Sequence, residues 1–495
     1  MKKNVFKLIA LSGLMLVAVS CNKDYLVEEP SEFVTLTQLE DAAATNPAIV
    51  RGTMDGIYAT MVQTGTGGTT GHDDFGHKGY DIFSDFLCGD MALSVSTYGW
   101  YRASITEFQC TQDFTFGDNR QVWQYYFTII RSANTVIATL GGNDADPQIA
   151  TNRHILGQAF AMRAHSYFYL TQYMANDYNP QAPILPLLDE VINVGLPKST
   201  TAEIYQLMES DLNRAIVLLD GFNRPTKNQV NKQVAQAMLA YVIASTRDSA
   251  RWGEVAALTQ SVIDNSGATM LTPAQVTGGF NDVNTPSWIW GADLTIDTGL
   301  GLVSWWGQMD AFTYSYAWAG DAKAIDRTLY NSIPANDARK AQFYAPAGYY
   351  NLMPLNKFYD PNRVIGGQTT ITTDYVYMRI EEMVLLNAEA LAKNNQDGPA
   401  RERLRTLMAQ RLPSTTYLDA LSGQALKDEI YKQTRVELWG EGKSYLALKR
   451  NQATATRGNN HLSFVGVPIP HNDERMTFEI PEREIQDNPF INDQN

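Results

Sequence analysis

The sequence predicts a mostly α-helical protein whose helical array is interrupted by one long, loop-rich and partly β insert. Apolar residues recur at the three- and four-residue spacing of amphipathic helices from about 119 to 265, and again from about 375 onward. Between about 266 and 372 that period is lost, and Gly, Asn, Thr, Pro and aromatic residues dominate. A loop of this length is uncommon inside a compact domain, so we interpret it as a functional insertion.

The first part of the array begins with a strongly aromatic helix. In the segment 122–137, Trp123, Tyr126 and Ile130 fall on one face at helical spacing. Four further amphipathic segments follow: 155–168, 202–219, 231–247 and 252–265. Thr201 is expected to cap the second of these, because a threonine hydroxyl accepts a hydrogen bond from a free amide at a helix start.

Helices are predicted to resume after the insert. The periodic segments there are 375–393, 399–411, 425–439 and 441–450. Short helices joined by short turns indicate hairpins packed as in tetratricopeptide proteins, although the repeat signature of those proteins is not visible.

The C-terminal helices carry charges whose spacing resembles a catalytic site. Arg435, Glu437 and Glu441 fall at helical spacing around Trp439. We interpret them instead as a buried ion-pair network between helices, because structural networks perturb charged groups as active sites do. The apolar stretch 376–391 holds further charges that need partners if they are buried: Arg379, Glu381, Glu382 and Glu389.

The composition limits what the chain can do. Its 495 residues are 44% hydrophobic and 19% charged, which suits two or three globular domains or one large helical one. The formal net charge of −14 disfavours nucleic-acid binding, because affinity for phosphates needs clustered positive charge. Three cysteines are too few for a disulfide framework or a cysteine-rich zinc site. Cys88 and Cys110 are either paired or free and buried.

The N-terminus is predicted to be a lipoprotein signal peptide over 1–20. A basic start precedes an apolar run from Leu8 to Val19, which is too short to span a bilayer. Small residues then lead to Cys21, which we expect to become the lipidated N-terminus after cleavage. Residues 21–40 are expected to form a lipidated tether whose first residues are polar and acidic. No other apolar run in the sequence is long enough to cross a membrane.

The segment 72–77 holds two histidines and two aspartates, which are common metal ligands. The histidines are five residues apart, not the four that align ligands on a helix, so we expect Asp73 and Asp74 to cap turns instead. We predict no metal site and no cofactor, while calcium held by carboxylates stays open. No nucleophile with a positioned base is recognisable, so no catalytic residue is predicted.

Aromatic residues cluster outside the helical pattern. Trp288 and Trp290 alternate in an apolar strand-like run, so at least one is expected in the core. Trp305 and Trp306 are adjacent, and a strand would send their rings to opposite faces, which makes at least one hard to bury.

A second set of rings in the insert alternates along the chain. Tyr314, Tyr316 and Trp318 would share one face of a strand, either as a binding surface or as a small core for the insert. The irregular stretch 64–118 is also aromatic, at Tyr98 and Trp100.

Short motifs in a fixed order make the chain resemble the SusD/RagB family of nutrient-binding outer-membrane lipoproteins. The resemblance covers nearly the whole length, and the order and spacing of the motifs make it specific. The matching segments are 123–137, 163–170, 374–390, 434–442, 448–450 and 480–489, in company with the lipoprotein signal. Two departures are His165, where tyrosine or phenylalanine is usual, and Ala447, where aspartate is expected.

The resemblance implies a mostly α fold of four tetratricopeptide-like helix hairpins decorated by loops that hold the ligand site. We therefore divide the chain into a signal peptide and a lipidated tether, a helical scaffold in two parts, and an insert that carries most of the ligand site. The boundaries are 1–20, 21–40, 41–265 with 373–495, and 266–372.

The resemblance also implies a lipid-anchored protein on the outer face of the outer membrane. Such a protein captures a glycan and passes it to a SusC-type TonB-dependent transporter. Flat rings would cover the C–H faces of a sugar, and polar side chains would bond its hydroxyls. The predicted ligand-binding residues are Trp100, Tyr101, Arg102, Trp305, Trp306, Asp310, Tyr314, Tyr316 and Trp318.

Three alternatives to glycan capture stay open. The cargo of the same transporter lid is an oligopeptide, the protein is a surface glycoside hydrolase with paired carboxylates, or the scaffold is only a protein-interaction module. Nothing in the sequence marks a carboxylate pair, so we predict a binding protein and not an enzyme.

Overall fold

The computed structural model describes residues 46–495 together with Gln38. The predicted signal peptide (1–20) and Cys21 lie outside the described residues, as does the predicted tether (21–40) apart from Gln38. Within the described part of the chain, no helix combines the length and the apolar character needed to cross a lipid bilayer.

Helices make up most of the regular structure and are numbered in chain order. They are α1 (Pro47–Thr60), α2 (His77–Leu87), α3 (Gly117–Thr139), α4 (Ala150–Met174), α5 (Thr201–Leu218), α6 (Lys232–Thr246), α7 (Trp252–Asn265), α8 (Trp305–Met309), α9 (Tyr316–Ala319), α10 (Arg327–Ser332), α11 (Ile380–Lys393), α12 (Asp397–Met408), α13 (Gly423–Glu437), α14 (Lys443–Arg450) and α15 (Glu482–Asp487). The strands are short: β1 (Met91–Leu93), β2 (Pro183–Pro186), β3 (Lys198–Thr200), β4 (Trp288–Ala292), β5 (Lys323–Ile325), β6 (Tyr375–Arg379), β7 (Thr454–Thr456) and β8 (Pro468–Pro470).

The long helices pack against one another in the order in which the chain produces them. Contacts join α3 to α4, α4 to α5, α5 to α6 and α6 to α7. The array then continues with α11, which packs on α7 although the insert separates the two in sequence, and α11 packs in turn on α12 and α13. The prediction of a mostly α scaffold of helix hairpins with a loop-rich, partly β insert is confirmed.

Two-stranded antiparallel sheets fasten distant parts of the chain together. β4 pairs with β6, with Ala292 opposite Tyr375, and so joins the insert to the strand that leads into α11. β1 pairs with β5, with Met91 opposite Ile325, and joins the irregular stretch before α3 to the insert. β2 pairs with β3 and β7 with β8.

One apolar core runs through both the scaffold and the insert. Its largest fully buried side chains include Trp288 and Trp290 of β4, Trp306 of α8 and Trp439 after α13. The expectation that at least one tryptophan of β4 lies in the core is confirmed, and both do. A second, smaller cluster fills the space between α11, α12 and α13.

Two details of the predicted helices are wrong. The segment 375–393 does not begin as a helix, because residues 375–379 form β6, whose aromatic and β-branched side chains are all buried against β4 and the core. The cap of α5 is Thr200, one residue earlier than expected. Its hydroxyl accepts the Glu203 N–H, and the Glu203 carboxylate bonds back to the Thr200 N–H at 2.8 Å, which forms a capping box.

Two buried glutamates form ion pairs with basic side chains from several segments of the chain. Glu437 accepts hydrogen bonds from Arg379 at 2.8 Å, Arg411 at 2.8 Å and Arg339 at 3.1 Å. Glu441 accepts from Arg379 and from Lys357, each at 2.8 Å. Burial alone would raise the pKa of Glu441, but the positive charges outweigh it and bring that pKa to about 2. The prediction of a structural ion-pair network is confirmed.

The remaining predicted charges also have partners. Glu389 is held by Arg450 at 2.7 Å and by Lys393 at 2.8 Å, and Arg435 binds Asp90 at 2.9 Å. The two cysteines predicted to be paired or free are both buried and free, Cys88 and Cys110.

Glu441→Gln should lower the free energy of unfolding by about 3 kcal/mol, because Lys357 would stay buried without its carboxylate partner and Arg379 would keep only Glu381 and Glu437. Urea denaturation at pH 7 measures the loss. The matched control is Glu402→Gln, which breaks an exposed pair with Arg405 and should cost less than about 1 kcal/mol. Equal losses in the two variants would contradict a buried network.

Acid should weaken the fold through the same carboxylates. The pKa of Glu441 and that of Glu389 are each about 2 in the folded chain, against an ordinary value of 4.5. The unfolded chain therefore binds more protons in this range, so the stabilisation is complete above about pH 4.5 and is lost as pH falls toward 2. The urea midpoint should drop steeply between pH 5 and 3, and less so in Glu441→Gln; a wild-type midpoint that stays constant would refute this.

Candidate functional site

The aromatic residues of two separate stretches meet at one face of the molecule because long-range backbone pairing continues beyond β1 and β5. The Thr97 N–H donates to the Gly320 carbonyl at 3.0 Å. The Asp321 carboxylate accepts the N–H groups of Thr97 at 2.7 Å and Tyr98 at 2.9 Å. The loop that follows β1 is thereby held against the segment that precedes β5.

Four rings form the first group: His72, Tyr98, Trp100 and Tyr316. The Tyr316 ring lies 5.3 Å from that of Tyr98 and 5.7 Å from that of Trp100, between centroids. The His72 ring stacks on Trp100 at 5.2 Å with planes 4° apart, and its Nδ1 lies 2.6 Å from the Tyr316 hydroxyl. Tyr98 is 57% exposed and Trp100 is half-buried, whereas Tyr316 is buried and supports the rings that solvent reaches.

Two more rings form the second group. Tyr314 and Trp318 lie 5.5 Å apart between centroids and are 48% and 37% exposed. The expected strand with three rings on one face is wrong, because Ser315 caps α9 and its hydroxyl accepts the Trp318 N–H at 3.0 Å. The helical turn sends Tyr316 into the first group. Both groups together are called the aromatic surface: His72, Tyr98, Trp100, Tyr314, Tyr316 and Trp318.

Trp305 and Trp306 lie in the core and not at the surface. The expectation that at least one ring would be hard to bury is wrong, since both are buried. Ser304 caps α8 and accepts the Gly307 N–H at 3.0 Å, so the two tryptophans lie on a helical turn and not on opposite faces of a strand. The Trp305 ring packs edge-on against Phe358 with centroids 4.7 Å apart.

Asp310 is fully buried, and both of its carboxylate oxygens accept hydrogen bonds from the protein. Its carboxylate accepts the N–H of Phe312 at 2.9 Å, the hydroxyl of Thr313 at 2.8 Å and the N–H of Asp360 at 2.9 Å. Burial raises its pKa to about 6, although these bonds work in the opposite direction. Its predicted contact with a ligand is not compatible with this position, and Asp310 instead fixes the turn that leads to Tyr314.

Tyr101 and Arg102 follow Trp100 but point in different directions. Tyr101 has a left-handed backbone with φ of 65°, and its buried ring contacts Phe83 and Phe86. The Arg102 side chain is exposed and pairs with Glu107 at 3.1 Å. Of the nine predicted site residues, Tyr101, Trp305, Trp306 and Asp310 are therefore buried supports. Four of the other five belong to the aromatic surface, and the fifth, Arg102, follows Trp100 by two residues in the chain.

Sequence reasoning missed two members of the aromatic surface. Tyr98 was visible as an aromatic residue in an irregular stretch, but nothing in the sequence showed that Tyr316 would lie against it. His72 was considered only as a metal ligand. Its neighbour in sequence, His77, lies in the core with its ring 5.0 Å from that of His165, so the two histidines do not share a site.

Within the described residues, no group of three or more His, Cys, Asp or Glu side chains is arranged to hold a metal ion. The expected turn-capping role is confirmed for Asp74, whose carboxylate accepts the N–H groups of Gly67 at 2.7 Å and Thr69 at 3.0 Å. Asp73 accepts the side-chain amide of Gln121 at 3.1 Å.

Comparison with known proteins identifies the family. A sequence model described as SusD-like, starch-binding and associating with the outer membrane, matches residues 78–243, and a model of the SusD family matches residues 307–495. The chain belongs to the SusD/RagB family. No curated protein sequence matches it.

Solved structures show the same fold. A SusD-like carbohydrate-binding protein from Bacteroides vulgatus is 23% identical, with a TM-score of 0.75 over 90% of this chain and 97% of that one. A SusD superfamily protein from Bacteroides thetaiotaomicron is 20% identical, with a TM-score of 0.74 over 90% and 98%. Surface glycan-binding protein A from the latter organism, in complex with laminarihexaose, is 15% identical, with a TM-score of 0.66 over 90% and 98%.

Gly366→Ala should disturb the aromatic surface, because a Cβ at Gly366 would lie 3.1 Å from two atoms of the Trp318 indole. Its φ of +64° adds strain for any L residue. Gly466→Ala is the control, since Gly466 has a φ of +73° but no atom within 4 Å of such a Cβ. We expect Gly366→Ala to lose about 1 kcal/mol more stability than the control and to shift the tryptophan emission. The same emission and stability in both would show that the contact is unimportant.

Proposed function

We propose that this protein is a cell-surface lipoprotein that binds oligosaccharides and delivers them to a SusC-type TonB-dependent outer-membrane transporter. The observation that carries the proposal is the aromatic surface, which exposes four rings on one face of a protein whose other large rings are mostly buried. Membership of a family described as starch-binding supports it, and so does the likeness to a structure described as a complex with laminarihexaose.

The chemistry of the rings suits a sugar better than a charged ligand. A pyranose presents C–H groups on its faces and hydroxyls at its edge. The exposed faces of Tyr98, Trp100, Tyr314 and Trp318 can cover the C–H groups. Burying a fully exposed ring contributes roughly 1.5–3 kcal/mol, and these partly buried rings contribute less than that each. The tyrosine hydroxyls and the Arg102 guanidinium can bond the sugar edge. The tyrosine and tryptophan side chains have only two side-chain torsions each, so they lose few rotamers on binding.

The ring-bearing segments are fixed before any ligand arrives. Ser315 caps the turn that carries Trp318, and Asp321 binds the amides that lead to Tyr98. The Tyr349 hydroxyl donates to the Ala317 carbonyl at 2.6 Å and holds the same turn from the other side. A preorganised surface loses less conformational entropy when a ligand binds, so the same contacts give a higher affinity.

The proposal includes a place in the cell. We expect Cys21 to carry the lipid that anchors the protein at the outer membrane, with the aromatic surface facing the exterior or the mouth of the transporter. Recognition through ring faces needs no metal and no organic cofactor. The acidic chain, with a formal net charge of −14, is not expected to bind nucleic acid.

We propose binding without turnover. Glycoside hydrolysis needs an acid and a second carboxylate that both reach the sugar. Asp73, next to His72, has a raised pKa, but it is buried and accepts the Gln121 side-chain amide. Asp310 also has a raised pKa, and both of its oxygens accept bonds from protein groups. It is fully buried and cannot donate a proton to a bound ligand.

Trp100→Ala and Trp318→Ala should each weaken glycan binding by roughly tenfold, because each removes a ring face from the ligand. Affinity electrophoresis in gels containing starch or laminarin, followed by calorimetry with maltohexaose and laminarihexaose, measures the loss. Tyr417→Ala is the matched control, since Tyr417 is also 38% exposed but bonds Glu429 on α13.

Three outcomes would contradict parts of the proposal. Unchanged retention in both tryptophan variants would reject the aromatic surface as the site. Calorimetric binding of oligopeptides but of no glycan would reject the cargo. Release of shorter sugars from the ligand during incubation, detected by chromatography, would reject binding without turnover.

A further inference from the structure

A buried polar chain lies beneath the aromatic surface and begins at Lys323, the first residue of β5. The Lys323 Nζ donates to the side-chain oxygen of Gln308 at 3.0 Å and to the carbonyl of Asp321 at 3.3 Å. Lys323 and Gln308 have no exposed surface. A lysine without an ion pair to a carboxylate is costly to bury, and an apolar residue at this position would normally be cheaper.

The chain reaches the first ring group through Gln308. The Gln308 side-chain amide donates to the His72 carbonyl at 2.9 Å. The His72 ring then stacks on Trp100 and contacts the Tyr316 hydroxyl through Nδ1. A displacement of Gln308 would therefore move His72, and with it the half-buried ring of Trp100.

A second branch reaches the same group through Asp321. The Asp321 carbonyl accepts from Lys323, while its carboxylate accepts the N–H groups of Thr97 and Tyr98. The exposed ring of Tyr98 is fixed by this branch. Lys323 thus contacts both Gln308 and Asp321, on which the His72 and Tyr98 segments depend.

We propose that Lys323 is a positioning residue for the aromatic surface: its ammonium group holds Gln308 and Asp321, and loss of its proton loosens the rings and weakens ligand binding. The inference rests on the proposed function only for the last step, since the ordering of the rings by Lys323 is independent of any ligand.

Protonation of Lys323 falls in an accessible range. Burial lowers its pKa to about 7, although the charge of Asp321 works in the opposite direction. Below that pH the ammonium makes charge-assisted bonds, which are roughly twice as strong as neutral ones. Above it, the neutral amine keeps two donors but loses its attraction to Asp321. Ring order and affinity should therefore be greater at pH 6 than at pH 8.5.

Other titratable groups surround the same space. The Tyr101 ring lies under the ammonium, 5.2 Å from Nζ, and the charges of Asp73 and Asp118 both act on its phenol. Burial and the charge of Asp73 raise the pKa of Asp118 to about 7, so Asp118 titrates in the same range. His72 lies at the far end of Gln308. The experiment has to distinguish these groups from Lys323.

Lys323→Met retains the length of the side chain and removes its charge and its donors. The first measurement needs no ligand: acrylamide quenching of tryptophan fluorescence from pH 5.5 to 8.5, with Trp100→Phe as the reference that assigns the Trp100 signal. Quenching of Trp100 in the wild type should rise with a midpoint near pH 7, and Lys323→Met should show high quenching at every pH. A wild-type curve without this midpoint would overturn the proposal.

Two further variants complete the test. Asp118→Asn should keep the midpoint. Gln308→Met cuts only the branch to His72 and should show high quenching without a midpoint. It tests the proposal even if Lys323→Met does not fold. A midpoint near pH 7 that persists in Lys323→Met, or that vanishes in Asp118→Asn, would assign the titration to a group other than Lys323 and overturn the proposal.

Ligand affinity is the second measurement. Calorimetry with laminarihexaose and maltohexaose should show roughly fivefold weaker wild-type binding at pH 8.5 than at pH 6, and equal affinities at the two pH values in Lys323→Met. If neither sugar binds the wild type, the proposed function fails for these ligands while the quenching data still decide the role of Lys323. If they bind with the same pH dependence in both proteins, the positioning role is refuted.

Discussion

The convergence of buried cations on Glu437 and Glu441 is the interaction on which the rest of the structure depends. These glutamates flank the turn between α13 and α14, and their partners come from four other places in the chain. Arg339 and Lys357 lie in the insert, Arg379 ends β6, and Arg411 follows α12. A buried charge without its partners would strongly destabilise the core. The ion pairs therefore fix the position of the insert on the scaffold.

The aromatic surface depends indirectly on this placement of the insert. The insert is fixed at its base by the ion pairs and by the pairing of β4 with β6, and its outer part is fixed by the pairing of β5 with β1. Only then do Trp100 and Tyr316, more than two hundred residues apart in sequence, come within 5.7 Å. The charge network thus supports ligand recognition without contacting the ligand. The polar chain from Lys323 then holds the His72 and Tyr98 segments in place through Gln308 and Asp321.

The helices could be predicted from the sequence because their information is local. Apolar spacing located α3 to α7 and α11 to α14, although 155–168 fell short of α4 at both ends and Tyr375 begins a strand instead of a helix. The site could be predicted only in part. Trp305 and Trp318 have similar neighbours in sequence, yet one is core and the other surface, because serine caps turn each segment into a short helix whose direction the surrounding insert decides. His72 entered the site through a contact that no local pattern describes.

The packing of α11 on α7 has a consequence for how the chain folds. Residues 266–379 separate these neighbours, so the array cannot be completed until the insert has closed on itself. The helices from α3 to α7 make local contacts and can assemble early, whereas the docking of α11 on α7 must wait for a loop closure of more than a hundred residues. During that interval the side of α7 that α11 later covers is exposed, which makes it a surface where a partly folded chain is prone to aggregation or to binding by a chaperone.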